Sequence, residues 1–435
     1  MVKNINIAVC IPTYERCEVV KDFLNTCAEL YISYGLDIYY YDSSVSDKTL
    51  YVVSEWIKKS NNIYYIKMPS NMPSNIKVFN IFSGYGLKKQ YDFIWVCGDA
   101  IQFSYTAINN LMSKIDKTYD IIQMNSRDFD KIGTREYTDY NEYLRDCAWE
   151  LTLYGSAILN VNTILKDVDW KFYKKIYSKE NLINFSHVGF YFTRICELEK
   201  FKALHISIPG KYFRSSFYKY KPGWQENMYF IFCETWVNTI SSLPDCYIYK
   251  KEAISKHGKY VMLRSESDFI SSRRKNILNI ETFIKYYNKW SEVSPVKRNK
   301  IMIISIMPIW ITKIIRKEKN KKNILKKLKK FCDKNKRVYI YGAGVYGSIY
   351  EFYLNSIAKE SSGFAVTSSY NNPDRFSKGP IYLIDEIEMP QNAGFIVAMK
   401  ENGDEVLKKL NEMGIHNVFY ETDFISAFYQ ERGEI

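Results

Sequence analysis

Short apolar runs separated by longer amphipathic ones fill the first 130 residues. INIAVCI, LDIYYYD, IYYIKM, YDFIWVC and YDIIQMN read as strands, while the stretches over 15–30, 48–59 and 76–87 place apolar residues at helical spacing. Strands alternating with helices predict βαβ units and a mainly parallel sheet. Ligands on such a sheet gather beyond the carboxyl ends of its strands. Polar clusters stand at those places: Pro12-Thr13-Tyr14-Glu15-Arg16 after the first strand, Asp42-Ser43-Ser44 after the second and Gly98-Asp99-Ala100 after the fourth. From about 130 to 256 the pattern loosens into short aromatic-rich runs. The alternation returns after 336 with RVYIY, GAGVYG, GFAVTS, IYLIDEI, GFIVAM and NVFY, which predicts a second α/β unit of about 100 residues.

Composition places the 435-residue chain among folded globular proteins. Apolar residues make up 46% and charged residues 25%, and 11 Pro and 19 Gly are too few for a collagen-like or linker-dominated chain. Tyrosine is over-used: 38 Tyr exceed Phe (25) and Trp (8) together, supplying rings with a polar tip where sugars or bases are held, although core filling accounts for most of them. Nine Cys lie scattered with no CxxC pair and no His at zinc spacing, which argues against a metal ribbon or a disulfide scaffold and for reduced thiols. The first apolar run is too short for a secretory signal and lacks a cleavage site, so a cytoplasmic location is expected.

The net charge of +13 is concentrated in one place. Lys297 to Lys330 holds 13 Lys and Arg against the single acid Glu318, bracketing an apolar run from Ile301 to Ile315 that Pro308 and Lys313 interrupt. That run falls short of the roughly 20 residues a spanning helix needs. It reads either as an interfacial helix on an anionic membrane with Trp310 at headgroup depth, or as a buried connecting helix followed by a solvated basic one. Nucleic acid is not expected, because the basic residues flank aliphatic surface and no nucleic-acid motif accompanies them.

The segments IAVCIPTYERCEVVKDFL, DSSVSDKT and FIWVCGDA, in this order over the first 110 residues, resemble family 2 glycosyltransferases of the GT-A fold, bacterial surface-polysaccharide type. The resemblance implies a Rossmann-like nucleotide-binding mixed sheet. It puts Pro12, Thr13, Tyr14, Glu15, Arg16, Asp42, Gly98 and Asp99 on the donor nucleotide, by similarity UDP. A carboxylate such as Asp42 can accept from a base N–H, and Tyr14 can stack. Asp47 is a secondary candidate that would otherwise cap the next helix. Asp99 is the expected ligand of a divalent metal, Mn2+ or Mg2+, which would neutralise the departing diphosphate. Here the chain departs from the family, since Ala100 stands where a second carboxylate is common; metal affinity without nucleotide is therefore expected to be poor.

An inverting displacement also needs a base near the acceptor hydroxyl. Glu226 in GWQEN and Glu234 in FCETW rank together, with His187 in FSHVGF below them and Asp245 as a further candidate. Trp224 and Trp236 are either sugar-stacking platforms or core anchors. His205 in ALHISI reads as a satisfied core histidine, and Arg214, Lys219 and Lys221 as a solvated basic face or partners of a diphosphate.

Gly342-x-Gly344-x-x-Gly347 follows a strand and opens a helix, as a dinucleotide fingerprint does, and marks a second nucleotide-site candidate. The next strand ends in Thr367-Ser368-Ser369 without the acid that would hold a ribose diol, so NAD is disfavoured. This part resembles the small Rossmann-like units appended to bacterial surface-sugar enzymes, with a regulatory, oligomerising or vestigial role. The expected organisation is therefore α/β: a GT-A domain over 1–256, a helical, basic, membrane-associating segment over 257–335 and a small C-terminal Rossmann-like domain over 336–435, through which the chain would self-associate. The expected activity is inverting transfer of a hexosyl or N-acetylhexosaminyl group from a nucleotide-sugar donor to a surface-polysaccharide acceptor, lipid-linked, by a cytoplasmic enzyme peripheral at the inner face of the cell membrane. A protein (adhesin) acceptor and a non-catalytic, nucleotide-sugar-binding scaffold subunit are the alternatives.

Overall fold

β1 (Ile7–Thr13) is buried along its length except at Pro12 and is a central strand, hydrogen-bonded to a neighbour on either edge. A strand covered on both faces reads as a continuous apolar run, which IAVCIPT is. The computed structural model describes residues 5–70, 72–124, 132–208, 213–215, 225–315, 321–367, 379–388, 390–399 and 403–421. α1 (Cys17–Ser33) leads to β2 (Asp37–Asp42), α2 (Lys48–Ile57) to β3 (Ile63–Lys67) and α3 (Ser74–Phe82) to β4 (Phe93–Val96). These strands are parallel in the order β3-β2-β1-β4, so the chain winds one way from β1 and then returns to its other side. The crevice beyond the carboxyl end of β1 is thus a topological switch point.

The chain continues through β5 (Ile101–Phe103), α4 (Tyr105–Lys114), β6 (Ile121–Met124), β7 (Arg135–Tyr137), α5 (Tyr140–Cys147), β8 (Ala157–Asn160), α6 (Trp170–Tyr177), α7 (Ser186–Cys196), β9 (Ala203–Ile206) and β10 (Phe213–Ser215). The large sheet extends from β4 as β8-β6-β9-β7, with β8 antiparallel to both neighbours and β7 antiparallel to β9, so it is mixed. Helices α8 (Trp236–Ser241), α9 (Lys250–Tyr260), α10 (Glu266–Arg274), α11 (Ile280–Lys285), α12 (Trp290–Val293), α13 (Arg298–Ile306) and α14 (Ile309–Ile315) follow. One core joins them to the sheet, with Phe79, Phe190, Trp236, Phe269 and Trp290 among its largest side chains. Phe190 alone packs its ring against those of Phe79, Phe82, Trp170 and Tyr173, which accounts for much of the aromatic richness of this half.

The last part holds α15 (Lys321–Lys334), β11 (Val338–Tyr341), α16 (Val345–Ser356), β12 (Gly363–Val366), β13 (Ile381–Leu383), β14 (Gly394–Val397), α17 (Gly403–Glu412) and β15 (Val418–Phe419). Its five strands are all parallel in the order β13-β12-β11-β14-β15, over a core that includes Tyr341, Phe395, Val397 and Leu410. This architecture, a large mixed α/β sheet with a second, parallel one, is the fold class expected from the sequence.

The chain divides into two compact units, one of residues 1–103, 107–211 and 218–315, the other of 104–106, 212–217 and 316–435. The segment 257–335 falls in both: α10 to α14 belong to the first unit and α15 to the second. The single interfacial helix expected over Ile301–Ile315 is two helices. Met307 adopts extended backbone (φ −60°, ψ 131°), the conformation that a following proline imposes, and α13 ends there. No helix among the described residues is long and apolar enough to cross a membrane.

Candidate active site

Residues from β1, β2, α3 and the turn after β4 converge at the switch point. Register sets Thr13 opposite Asp42 at the ends of β1 and β2. Asp99, whose side chain is 6% exposed, accepts at Oδ2 from Thr13 Oγ1 (3.0 Å) and at Oδ1 from Arg16 Nη1 (2.8 Å), the latter an ion pair. Lys77, on the inward face of α3, donates its ammonium to the Thr13 carbonyl (2.7 Å) and to Ser43 Oγ (2.6 Å). Burial pushes the Lys77 pKa down to about 8; the Asp42 and Asp99 carboxylates favour its charge and Arg16 opposes it. Two carboxylates and two cations thus stand together within a largely enclosed site.

Asp42 is positioned otherwise than the sequence reading supposed. It is fully buried, and its oxygens accept from the Ser44 amide (2.8 Å), the Ser44 hydroxyl and the Tyr65 hydroxyl (2.8 Å), so it shapes the 43–46 loop from below and presents no exposed oxygen to a base. The exposed part of this corner comes from Tyr14 and Glu15. Glu15, at φ 52°, accepts from the Val45 amide (2.7 Å), the Ser46 amide (3.1 Å) and the Ser46 hydroxyl (2.8 Å). The Ser46 amide and hydroxyl, then the Val45 amide and Lys48, hold its carboxyl below the usual glutamate value. Asp47 makes no capping bond to α2; it pairs with Lys67 (3.2 Å), whose ammonium also reaches the Ser44 carbonyl (2.9 Å). Tyr14 is half exposed, Pro12 and Gly98 are partly exposed, and Ala100 is buried.

Among the described residues no group of three His, Cys, Asp or Glu side chains is set to hold a metal ion. Asp99 fits a metal in one way only. The guanidinium at Oδ1 repels a cation arriving alone, whereas a diphosphate brings its own oxygens as ligands and gives Arg16, whose side chain is partly exposed, an anion to turn towards.

The base candidates separate clearly. His187 is a core residue and not a base at a site: it is 1% exposed, its Nε2 donates to the Leu151 carbonyl (3.1 Å), and its ring lies against Tyr154 and Tyr191. Its Nδ1 has no hydrogen-bond partner among the described residues, and burial pulls its pKa down to about 4. Trp236 is likewise a core anchor, fully buried against His257 and Phe185. His205 is satisfied as expected, with Nδ1 on the Gly133 carbonyl (3.0 Å) and Nε2 on Glu150 Oε2 (3.0 Å), which also accepts from Gln123. Asp245 is wholly exposed beside Lys250. Glu226 is exposed in the turn at 225–227, and Glu234 lies in a π-helical turn, Phe230–Thr235, of a kind frequent at functional sites. Glu234 pairs with Lys285 (3.3 Å) at the edge of an open depression also lined by Glu180, Asn181 and Phe230. Trp224, Lys219, Lys221 and the side chain of Arg214 lie outside the described residues.

Sequence reading missed Lys77 and Tyr65. The available signal was faint: one lysine among Ile76, Val78 and Phe79 in an otherwise apolar helical stretch, at a position that faces inward.

In the second unit the glycine motif has a physical basis. Gly342 has φ +104°, and a Cβ on Gly347 would lie 2.1 Å from the Gly342 carbonyl oxygen, so β11 and α16 approach as closely as a side chain would forbid. Gly344 opens α16 with free space around it. β12 ends at Val366 and is followed by Thr367, neither an acid; Ser368 and Ser369 lie outside the described residues.

No protein-family model and no curated protein matches the chain. Among solved structures, S. aureus TarS 1–349 in complex with UDP-GlcNAc is similar over 69% of this chain and 89% of its own, at 13% identity and a TM-score of 0.43. A mannosyltransferase from Pyrobaculum calidifontis in complex with GDP-Man and Mn2+ is similar over 72% and 88%, at 11% identity and a TM-score of 0.35. Glucosyl-3-phosphoglycerate synthase from Mycobacterium tuberculosis, in complex with Mn2+, UDP and phosphoglyceric acid, is similar over 56% and 80%, at 9% identity and a TM-score of 0.35.

Proposed function

We propose that the chain is a GT-A-type glycosyltransferase that moves a sugar from a nucleotide donor, UDP by the family resemblance, to a bacterial surface-polysaccharide acceptor, with inversion. The observation that supports this best is the cluster of Thr13, Arg16, Lys77 and Asp99 at the switch point, where a sheet of this winding takes its ligand. Tyr14 offers its ring to the base. Arg16 turns from Asp99 to the diphosphate, and Lys77 supports the loop from behind while adding positive charge as the leaving group gains negative charge. A divalent cation shared by Asp99 and the diphosphate would, when bound, neutralise part of that charge. Glu226 or Glu234 takes the proton of the acceptor hydroxyl. The acceptor oxygen then bonds to the anomeric carbon, the bond from that carbon to the diphosphate oxygen breaks, and the nucleoside diphosphate leaves.

A lipid-linked acceptor is favoured over a protein one, because the basic and apolar segment after 296 would hold the enzyme at an anionic membrane. Ala100 and the closed Asp99–Arg16 pair favour one rival, a nucleotide-sugar-binding scaffold without catalysis. Incubation with a panel of UDP- and GDP-sugars, with and without Mn2+, decides between them. Slow hydrolysis of one donor, lost in Asp99→Asn, supports the enzyme; binding without hydrolysis supports the scaffold, and no binding of any nucleotide refutes both.

A further inference from the structure

Sixteen large apolar side chains are exposed among the described residues, and seven of them fall between 280 and 310. α13 explains the clustering. It buries Ile301, Ile304 and Ser305, and at 100° per residue the opposite face carries Met302, Ile303 and Ile306, the last two 54% and 58% exposed. Arg298 and Lys300 project on either side of that outward stripe. Just past the break at Pro308, Trp310 is 63% exposed. α11 packs on α13 and turns out Ile284; Tyr287 follows, with the Arg298 guanidinium 4.9 Å above its ring, so the two apolar patches adjoin through a basic residue. A stripe of this kind is too extensive for scattered surface residues.

We infer that α11, α13 and the start of α14 form a docking face for an anionic lipid surface, with Ile284, Ile303, Ile306 and Trp310 entering the acyl boundary and Arg298 and Lys300 meeting the headgroups. Charge identifies the occupant. The face opens a segment with 13 basic residues and one acid, Trp310 is the residue suited to headgroup depth, and no described helix is able to span. Lys300 is paired with Glu266 and Arg298 stacks on Tyr287, so both are held at the rim of the stripe. The inference rests on the membrane-side reading above for its purpose, but lipid binding is measured without reference to catalysis.

The test is flotation of the full chain with vesicles of phosphatidylcholine alone and of phosphatidylcholine mixed with phosphatidylglycerol. The wild type should float with the mixed vesicles. Ile303→Ser/Ile306→Ser/Trp310→Ser should lower that partitioning by at least about 100-fold, from the apolar area withdrawn. Arg298→Gln/Lys300→Gln should lower it by about fivefold per charge on anionic vesicles only. Because these side chains point outward the fold should survive, as circular dichroism would verify. As a direct check, lipids with brominated chains should quench fluorescence in the wild type and quench it less in Trp310→Phe. Equal flotation of the wild type and the triple Ser variant, or no flotation of the wild type, overturns the inference. So does a wild type that is dimeric and binds no vesicles while the triple variant is monomeric, since the face would then join two copies. A chain that floats as expected yet hydrolyses no donor would count against the enzymatic reading alone.

Discussion

Replacing His187 by Gln separates a core histidine from a catalytic one. In the folded chain the ring donates from Nε2 to the Leu151 carbonyl and is sealed by Tyr154 and Tyr191, so a proton added at Nδ1 would place a charge where no hydrogen-bond partner is described. Burial therefore lowers the pKa from 6.5 to about 4. The unfolded chain binds the proton first. The stabilising contribution is complete above pH 6.5, declines as pH falls below it and is exhausted near pH 4. At about 1.4 kcal/mol per pH unit the whole interval is worth about 3 kcal/mol, of which about 2 kcal/mol is lost between pH 7 and pH 5. Glutamine keeps an N–H for Leu151 and cannot titrate. Urea unfolding followed by tryptophan fluorescence reports on the first unit alone, since all eight Trp lie at or before position 310. The wild type should lose about 2 kcal/mol more than His187→Gln between pH 7 and pH 5, and the variant should keep donor turnover. Parallel pH profiles for the two proteins would refute the burial argument, and loss of turnover with intact donor binding would return His187 to the catalytic list.

Lys77→Met removes the ammonium that bonds the Thr13 carbonyl and Ser43, and should weaken nucleotide binding by about 10- to 100-fold in calorimetry, whatever the sugar. Unchanged affinity would make Lys77 purely structural. Titration with Mn2+ alone should give no detectable binding, because Arg16 holds Asp99; Mn2+ should bind once UDP is present, and Asp99→Asn should lose this dependence. Of Glu226→Gln and Glu234→Gln, one should lower turnover by about 100- to 10,000-fold with donor affinity retained, and equal, small effects of both would exclude each as the base. Cys196 and Cys246, on the end of α7 and in the loop before α9, have sulfurs 2.7 Å apart, so exchange with a small-molecule disulfide should join them, seen as a linked peptide that Cys196→Ser abolishes.

How much could be read without coordinates varies with the kind of interaction. Periodicity over β1 to β4 and β11 to β15 identified the strands, because central strands such as β1, β4, β11 and β14 are buried on both faces and apolar throughout, while the edge strands β3 and β13 stand out as short apolar runs between turns. The strand-end clusters followed, since winding dictates where loops emerge. Met307–Pro308 as a break between helices was implicit in Pro308. The exposed stripe of α13 was less visible: Ile301, Met302, Ile303, Ile304 and Ile306 are alike in sequence, and only packing shows which of them face outward. In the site, Thr13, Arg16, Asp42 and Asp99 were named from the chain. What each one touches was not, and Asp42 proved to be enclosed by Ser44 and Tyr65. Lys77 and the Cys196–Cys246 pair were invisible, the first because one charge in an apolar helix has no spacing signature, the second because 50 residues separate the partners. His187 and Glu234 were both plausible bases as letters; burial removed the first, and the second lies partly exposed in a π-helical turn, paired with Lys285. Local pattern depends on neighbours within a few residues, so the sequence alone determined the strands of the first 130 residues and of the last 100, but not the elements between 130 and 256. Protonation, exposure and pairing depend on groups brought from 29 to 86 residues away, as in Glu15 with Ser44 and Thr13 with Asp99, and these the tertiary structure decided.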